Sequence, residues 1–401
     1  MTDGPRPMTE IHDRLGSCTV LVVEDDVSFQ QFLIGEILDS MGITAVSYAQ
    51  DGLEGLDKAR AQPPDLIILD IEMPRMNGFE MLRILRSDPD LARIPVIVQT
   101  AEDSGDRRDQ MFDAGATDFV SKPISVKEFR GRVKVHLENL LLIRRMGAEL
   151  TRIAEELADA AALQRALLPT EQTFALLRSR YGIDISHHFE PSSELGGDCW
   201  GVLPINDDAI GVYICDFAGH GVSAALNTFR LSTMLDRLPL PDPADPASYV
   251  AAINQDLHKS LTNRHYATFL FVVFDVAANT LTYAAGGAPN PLAGFPGQAE
   301  LTILDGSGLP LGIASAITFE NRKIAFPVGS FLFLYSDALS EAVQTGGDLV
   351  GESGVIRLVK RAALARPDQA PLDNILRQLP TPEDAPLKDD LTAVWIERMA
   401  I

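Results

Sequence analysis

The sequence predicts an α/β protein of more than one domain, and three observations over its 401 residues carry that expectation. First, residues 18–135 alternate short apolar strands with amphipathic helices, the pattern of a doubly wound, five-stranded parallel sheet with helices on both faces. Second, the alternation stops after Val135. Ile143, Met146, Leu150, Ile153, Leu157, Ala160, Gln164 and Leu167 then step by three and four in turn, with no proline before Pro169. That is a long helix with a coiled-coil seam, or a helix packed lengthwise on one of its own domains. Third, from Pro169 the texture changes to short strands, glycine turns and two helical blocks. The division expected is a short tail over 1–17, a first domain over 18–135, a helical linker over 136–168 and a second domain over 169–401.

Composition narrows the function. Apolar residues at 46% and charged residues at 22% describe globular domains. No apolar stretch approaches the roughly 20 residues that span a bilayer, and MTDGPRPMTEIHDRLGS lacks a basic-then-apolar signal pattern. Cys18, Cys199 and Cys215 form neither a disulfide framework nor a metal-ligand spacing, so a reducing cytoplasm is expected. A formal net charge of −22 repels a phosphate backbone, which disfavours a nucleic-acid-binding output.

In the first domain, Val20–Val23 is a strand ending on Glu24, Asp25 and Asp26, followed by a helical pattern through Phe29, Phe32, Leu33, Ile37 and Leu38. Ala45–Ala49 is the second strand. Leu66–Leu69 is the third, ending on Asp70 and the turn IEMPRMNG. Pro95–Gln99 is the fourth, ending at Thr100, and Phe119–Val120 is a short fifth that runs into Ser121, Lys122 and Pro123. Function in parallel sheets gathers at the C-terminal strand ends, where Glu24, Asp25, Asp70, Thr100 and Lys122 fall. Clustered acids hold Mg2+, and Asp70 is a candidate nucleophile toward a phosphoryl donor, with metal and lysine offsetting the developing charge. The plainer reading makes Glu24 and Asp25 helix caps and pairs Lys122 with one of them.

In the second domain, Ile183–Phe189 is a strand leading to SELGGDCWG, which carries Asp198. The apolar run from Ile210 stops on Asp216, where Gly219 and Gly221 allow a tight turn before a helix that continues to Leu238. PLPDPADPAS reads as a loop, Tyr249–Leu261 as a second helix, and Ala267–Val276 with Thr280–Ala285 as a hairpin. Phe331–Tyr335 is a buried strand closing on Ser336 and Asp337. After a loop over 381–388, Lys388, Asp389 and Asp390 lead into LTAVWIE. Asp198, Asp216, Asp337 and Asp389 thus each border a strand. Alone, each is an ordinary turn or cap residue. Together they suit two divalent ions about 3.5–4 Å apart, and oxygen-only ligation favours Mg2+ or Mn2+ over zinc.

The stretches VLVVEDD, LIILDIEMPRMNG, VIVQTA and DFVSKP make residues 18–135 resemble the response-regulator receiver domains of two-component systems. The resemblance implies that Asp70 accepts phosphate from a sensor histidine kinase or phosphotransfer protein. It also implies that Glu24, Asp25, Asp70 and the backbone of Glu72 bind Mg2+, that Thr100 and Phe119 form the switch, and that Lys122 contacts the phosphoryl group. Residues 165–401 resemble the PPM-type (protein phosphatase 2C-like) serine/threonine phosphatases of the SpoIIE-like branch, through QRALLP, ELGGD, CDFAGHGVSAAL, GLPLGI, LYSDALSEA and KDDLTAVWI. That implies an α-β-β-α sandwich holding two Mg2+ or Mn2+. Asp216 would bridge both, the backbone of Gly219 or its neighbour would add a carbonyl, and Asp337 and Asp389 would complete one site while Asp198 helps the other. Asp390 competes for the place of Asp389.

The implied substrate is a phosphoprotein, an anti-sigma-factor antagonist in a partner-switching pathway, with homodimerisation through the linker helix. The contrasting expectation is a catalytically silent pseudo-phosphatase adaptor. It draws on three departures from the family pattern: Gly201 where a second acid is usual, Ala338 in place of a glycine, and Gly286–Gly287 without a histidine.

Overall fold

In a computed structural model of the chain, residues 15–101, 105–219, 221–237, 245–261, 265–343, 349–365, 370–379 and 388–400 are described. They divide into two compact units, Met1–Arg152 and Ile153–Ile401. The first unit runs β1 (Thr19–Val23), α1 (Val27–Phe32, continued by a wider turn over Leu33–Leu38), β2 (Ala45–Ala49), α2 (Gly52–Ala61), β3 (Leu66–Asp70), α3 (Gly78–Ser87), β4 (Val96–Thr100), α4 (Gly105–Asp113) and β5 (Asp118–Ser121). All pairings are parallel, in the order β2-β1-β3-β4-β5. Covered on both faces, β3 and β4 are buried at every position, which is why they read as unbroken apolar runs. Leu21, Leu69 and Met81 fill one side of the sheet, and Val20, Ile68 and Phe129 the other. This core reaches back to the fully buried Leu15, ahead of the boundary expected at residue 18. The strand order reverses at β1, between β2 and β3, and a crevice at the C-terminal strand ends follows from that reversal.

One helix of 40 residues, α5 (Val126–Arg165), follows. In the first unit it buries Phe129, Val133 and Leu137, and Arg144 lies 2.6 Å from Asp65. Residues 142–156 are then exposed throughout. Ile143, Met146, Leu150 and Ile153 stand 68, 57, 65 and 41% open. In the second unit Leu157, Ala160 and Ala161 pack on Leu195 and Ala225, and Gln164 is buried. The stripe expected from 143 to 167 therefore divides into two parts, the second matching the alternative of a helix packed on its own domain. Its first four positions are bare, and from Leu157 the stripe is covered by the chain itself, the small Ala160 and Ala161 permitting close approach.

The second unit runs α6 (Glu171–Leu176), β6 (Ile183–Glu190), β7 (Asp198–Pro204), β8 (Ala209–Phe217), α7 (Val222–Arg237), α8 (Pro246–Ser260), β9 (Ala267–Asp275) and β10 (Thr280–Gly286). It continues with β11 (Leu292–Gly294), β12 (Leu301–Ile303), β13 (Arg322–Ala325), β14 (Phe331–Tyr335), α9 (Ala338–Glu341), α10 (Gly351–Ala363), α11 (Pro371–Leu376) and β15 (Leu391–Arg398). Two antiparallel sheets form, ordered β13-β10-β9-β8-β7 and β12-β11-β14-β15-β6. Val212, Ile214, Leu270, Leu332 and Val394 share the core between them. Helices α7 and α8 cover the outer face of the first sheet through Leu231, Val250 and Ile253, and α10 and α11 cover the second through Val355, Val359 and Ile375. The result is an α-β-β-α sandwich. Within the expected loop PLPDPADPAS, the last three residues instead open α8. Asp245 caps it by accepting from Ser248 N at 3.2 Å, and Pro246 takes the first helical position, where no N–H is needed. Leu238, residues 239–244 of that loop and 381–387 of the later one lie outside the described residues. Among the described residues, no helix is long and apolar enough to cross a membrane.

Candidate active sites

The acids at the ends of β1 and β3 converge. Glu24, Asp25 and Asp70 each offer a carboxylate oxygen within 4.8 Å of the others, and Glu24 is only 1% exposed. Lys122 Nζ lies 3.0 Å from Glu24 Oε2 and 3.0 Å from Asp70 Oδ2, while its backbone N–H donates to Thr100 O at 2.7 Å. Burial pushes the Glu24 carboxyl up to about 7 against the Lys122 hydrogen bond, and Asp70 adds to the rise. Burial would depress Lys122, but its bonds to Glu24 and Asp70 outweigh this and lift it. One lysine among three carboxylates leaves the site electronegative, which suits a hard divalent cation. The cap of α1 is neither Glu24 nor Asp25. Asp26 Oδ1 accepts from Ser28 N at 2.8 Å and Phe29 N at 3.2 Å, which removes the capping explanation for the other two.

Thr100 is buried at the end of β4. Phe119 is half-buried in β5, with the Arg108 and Arg132 guanidinium groups 5.3 and 5.8 Å from its ring. The exposed Glu72 lines an open depression together with Asp25, Met73 and Asn77.

In the second unit, Asp198 and Asp216 stand opposite one another across the β7–β8 pair. Asp198 is 1% exposed, and no donor stands at good hydrogen-bond geometry to its carboxylate oxygens; the nearby Thr392 and Ser336 hydroxyls offset its burial only in part. From the other sheet, Asp337 follows β14 and Asp389 precedes β15. Ser336 ties these two ends, its N–H donating to Thr392 O and its Oγ to Asp390 O, each at 2.9 Å. Burial lifts the Asp216 carboxyl to about 7, and Asp337, Asp389 and Asp390 add to it. Burial and then Asp216 raise Asp198 well above the usual range, and burial and Asp389 raise Asp337. Acids from both sheets therefore feel one another. They are looser than the receiver-like cluster: among the described residues, Glu24, Asp25 and Asp70 are the one group of three or more with ligand atoms all within 4.8 Å.

Asp390 behaves differently from Asp389. Its Oδ1 accepts from Ser192 N (2.7 Å) and Ser192 Oγ (3.0 Å), and its Oδ2 from Gly197 N (2.5 Å) and Asp198 N (3.4 Å). Asp389, half-exposed, accepts from Asp390 N at 2.9 Å. The turn before Asp198 is close-fitting. A Cβ on Gly197 would sit 2.6 Å from Phe217 O and 2.9 Å from Gly219 O, so the Gly219 carbonyl (φ +94) lies against it. A buried carboxylate with no donor at good geometry is costly unless a cation supplies the missing contacts, and Asp198 with these neighbours fits a divalent metal.

The three departures have local explanations. A Cβ on Gly201 would meet Tyr213 Oη at 2.6 Å, leaving no room there for an acid. Ala338 opens α9 and needs no positive φ, so the turn at Asp337 is unstrained. Gly287 has φ +75, and Pro310 and Leu311 of GLPLGI fill the space beside Gly286 and Gly287.

Residues 20–134 match the family model of the response regulator receiver domain, and residues 206–399 that of stage II sporulation protein E (SpoIIE). The chain is a receiver domain joined to a SpoIIE-type phosphatase domain. The receiver portion is 41% identical over 114 residues to "Hybrid signal transduction histidine kinase D" of Dictyostelium discoideum (28% of this chain, 7% of that protein). It is 38% identical over 121 residues to "Response regulator MprA" of Mycobacterium bovis (30% of this chain, 51% of that protein). The chain thus spans about half the length of MprA and a small fraction of the kinase. Among solved structures, the SiaA-PP2C domain of Pseudomonas aeruginosa shares the fold, with a TM-score of 0.53 and 22% identity over 63% of this chain and 99% of that one.

A residue that the sequence reading placed in the helix seam and in QRALLP, without a role of its own, stands beside the acids of the second unit. Gln164 donates from Nε2 to Gly196 O at 2.7 Å and accepts at Oε1 from Gly196 N at 3.2 Å. The signal was its place at the head of QRALLP, a polar residue on an otherwise apolar stripe.

Proposed function

We propose that this chain is a cytoplasmic two-component response regulator in which phosphorylation of Asp70, by a sensor histidine kinase or phosphotransfer protein, controls a metal-dependent phosphoserine/phosphothreonine phosphatase. The observation that carries the reading is Asp198: buried, with no donor at good hydrogen-bond geometry to either oxygen, and opposite Asp216 across the strand pair. Asp198, Asp216, Asp337, Asp389 and the Gly219 carbonyl would hold two Mg2+ or Mn2+, and Glu24, Asp25, Asp70 and the Glu72 carbonyl one Mg2+. Asp390 serves instead to hold the turn carrying Asp198, because both its oxygens are already engaged. Bound ions would acidify a water and neutralise phosphoryl oxygens. The chain contributes a set of carboxylates fixed on strand ends, so their spacing is set by the two sheets rather than by mobile loops. The match to SpoIIE supports a phosphoprotein substrate, which we assign to the anti-sigma-factor-antagonist class. The bare stripe at Ile143, Met146, Leu150 and Ile153 supports a homodimer through α5.

The test of catalysis is hydrolysis of a chromogenic aryl phosphate with Mn2+ by wild type and Asp216→Asn. Loss of activity in the variant supports the reading. The looser gathering of the phosphatase aspartates favours the adaptor as second reading, and equal background rates in both proteins would select it. For the input, acetyl phosphate should change the output of wild type and leave Asp70→Asn unaffected.

A further inference from the structure

The second unit holds a concave site away from its acids. A cavity of about 210 Å3 lies at β7, an edge strand of its sheet, between the segment after α5 and the last turns of α7. Alternation along β7 separates it from Asp198. Trp200, two residues further on, packs in the core between the sheets, whereas Cys199 and Tyr213 pack on the outer face beneath α7. Gly201 shapes the cavity, because the Tyr213 ring fills the space a side chain there would take. A Cβ on Gly201 would meet Tyr213 Oη at 2.6 Å and displace it. Tyr213 is 6% exposed, and no hydrogen bond engages its hydroxyl among the described residues. Burial, then Cys199, Cys215 and Asp236, push that hydroxyl well above its ordinary value, so it stays neutral.

The polar lining is of one kind. Ser232 and Asp236 stand four residues apart on α7 and so share a face, and the segment after α5 adds Thr170 and Thr173, whose hydroxyl oxygens lie 3.1 Å apart. Among the described residues, no lysine, arginine or histidine lines the cavity or pairs with the Asp236 carboxylate. An anion would meet that carboxylate unshielded, and a chain of net charge −22 draws cations instead. An ammonium carries three donors, which suit one carboxylate and neutral hydroxyl oxygens. Leu168, Val202 and Leu235 supply apolar wall for a short alkyl chain. At about 30 Å3 for each water-sized group, the cavity has room for roughly seven non-hydrogen atoms. We propose that this cavity binds a small primary alkylammonium, its charge on Asp236, Ser232 and Tyr213 and its chain on Leu168, Val202 and Leu235. The site is independent of the metal-site reading, since none of these residues is a candidate metal ligand.

The test titrates the full chain with pentylamine near neutral pH, by isothermal calorimetry and saturation-transfer NMR, with pentanol and pentanoate as comparisons. Pentylamine should bind, and the neutral and anionic analogues should bind at least about tenfold more weakly. Asp236→Asn should weaken pentylamine about three- to tenfold, a figure that allows for the exposure of Asp236. Tyr213→Phe, which keeps the ring and loses one neutral hydrogen bond, should weaken it about two- to fivefold. Pentanol or pentanoate binding as tightly as pentylamine overturns the proposal, and this comparison needs wild type alone. So does an unchanged affinity in folded Asp236→Asn, the mark of cations gathering on an acidic surface. Absence of pentylamine binding up to about 10 mM, weak even for so small a ligand, overturns it as well. Tighter binding of Nα-acetyl-lysinamide than of pentylamine also overturns it, because the occupant would then be a lysine side chain of a partner protein.

Discussion

Asp216 shows how one side chain can be chosen against stability. Its carboxyl titrates near 7 rather than at the ordinary 3.8, through burial and then through Asp337, Asp389 and Asp390. A carboxyl whose pKa rises on folding is protonated more fully in the native state, so its contribution falls as pH climbs from the unfolded value through about 7. In EDTA, Asp216→Asn should therefore stabilise the second unit, by a Tm rise of about 2–4 °C at pH 8 and less at pH 5. Added Mn2+ should raise the wild-type Tm and leave the variant unmoved. A variant that melts below wild type at pH 8 in EDTA would contradict this. In the receiver, a Cβ on Gly78 would lie 2.2 Å from Asp70 O, and backbone cannot yield as a flexible side chain does. Gly78→Ala should cost roughly 1–3 kcal/mol and slow acetyl phosphate labelling of Asp70, measured by denaturant melts and phosphate-affinity gels. The sequence made Glu24, Asp25, Asp70 and Lys122 legible because each ends a strand of unmistakable apolar texture. It could not assign Asp389 and Asp390, adjacent acids with identical chemistry. Only the bonds from Ser192 and Gly197, nearly two hundred residues away in the chain, tell them apart.

At the scale of elements, α5 carries two kinds of surface on one stripe. Heptad arithmetic finds the stripe but is blind to what covers it, since a partner helix and the chain's own loop want the same apolar spacing. The small pair Ala160–Ala161 and the polar Gln164 were the only hints that its end meets Leu195, Ala225 and Gly196. Ile143→Glu with Leu150→Glu should convert a dimer to a monomer by light scattering. Exposed as these residues are, the monomer's stability should move by no more than about 0.5 kcal/mol. An unchanged mass would remove the helix from assembly. The three-residue strands β11 and β12 and the helices α10 and α11 went unread for a simpler reason. Strands so short show no period, and the buried face of α10 (Val355, Val359, Ala362) is interrupted by charged neighbours until the sheet beneath is known.

For the whole molecule, each unit carries its own buried core, so calorimetry should resolve two transitions. Ile68→Ala should lower one and Leu332→Ala the other, each by a loss of about 2–5 kcal/mol. A single peak shifted by both would show that the units unfold together. Fold class at this scale was the most legible property, because the change from parallel alternation to antiparallel meander is written across hundreds of residues. The sandwich has a further consequence for how the protein is made. Its second sheet runs β12-β11-β14-β15-β6, so the strand over Leu391–Arg398 lies inside it, between β14 and a β6 synthesised two hundred residues earlier. On the ribosome, β6 must wait with an unzipped edge until those residues emerge. A nascent chain arrested before Leu391 would carry a finished first unit and a half-built second one, a species that chaperones and proteases would meet first.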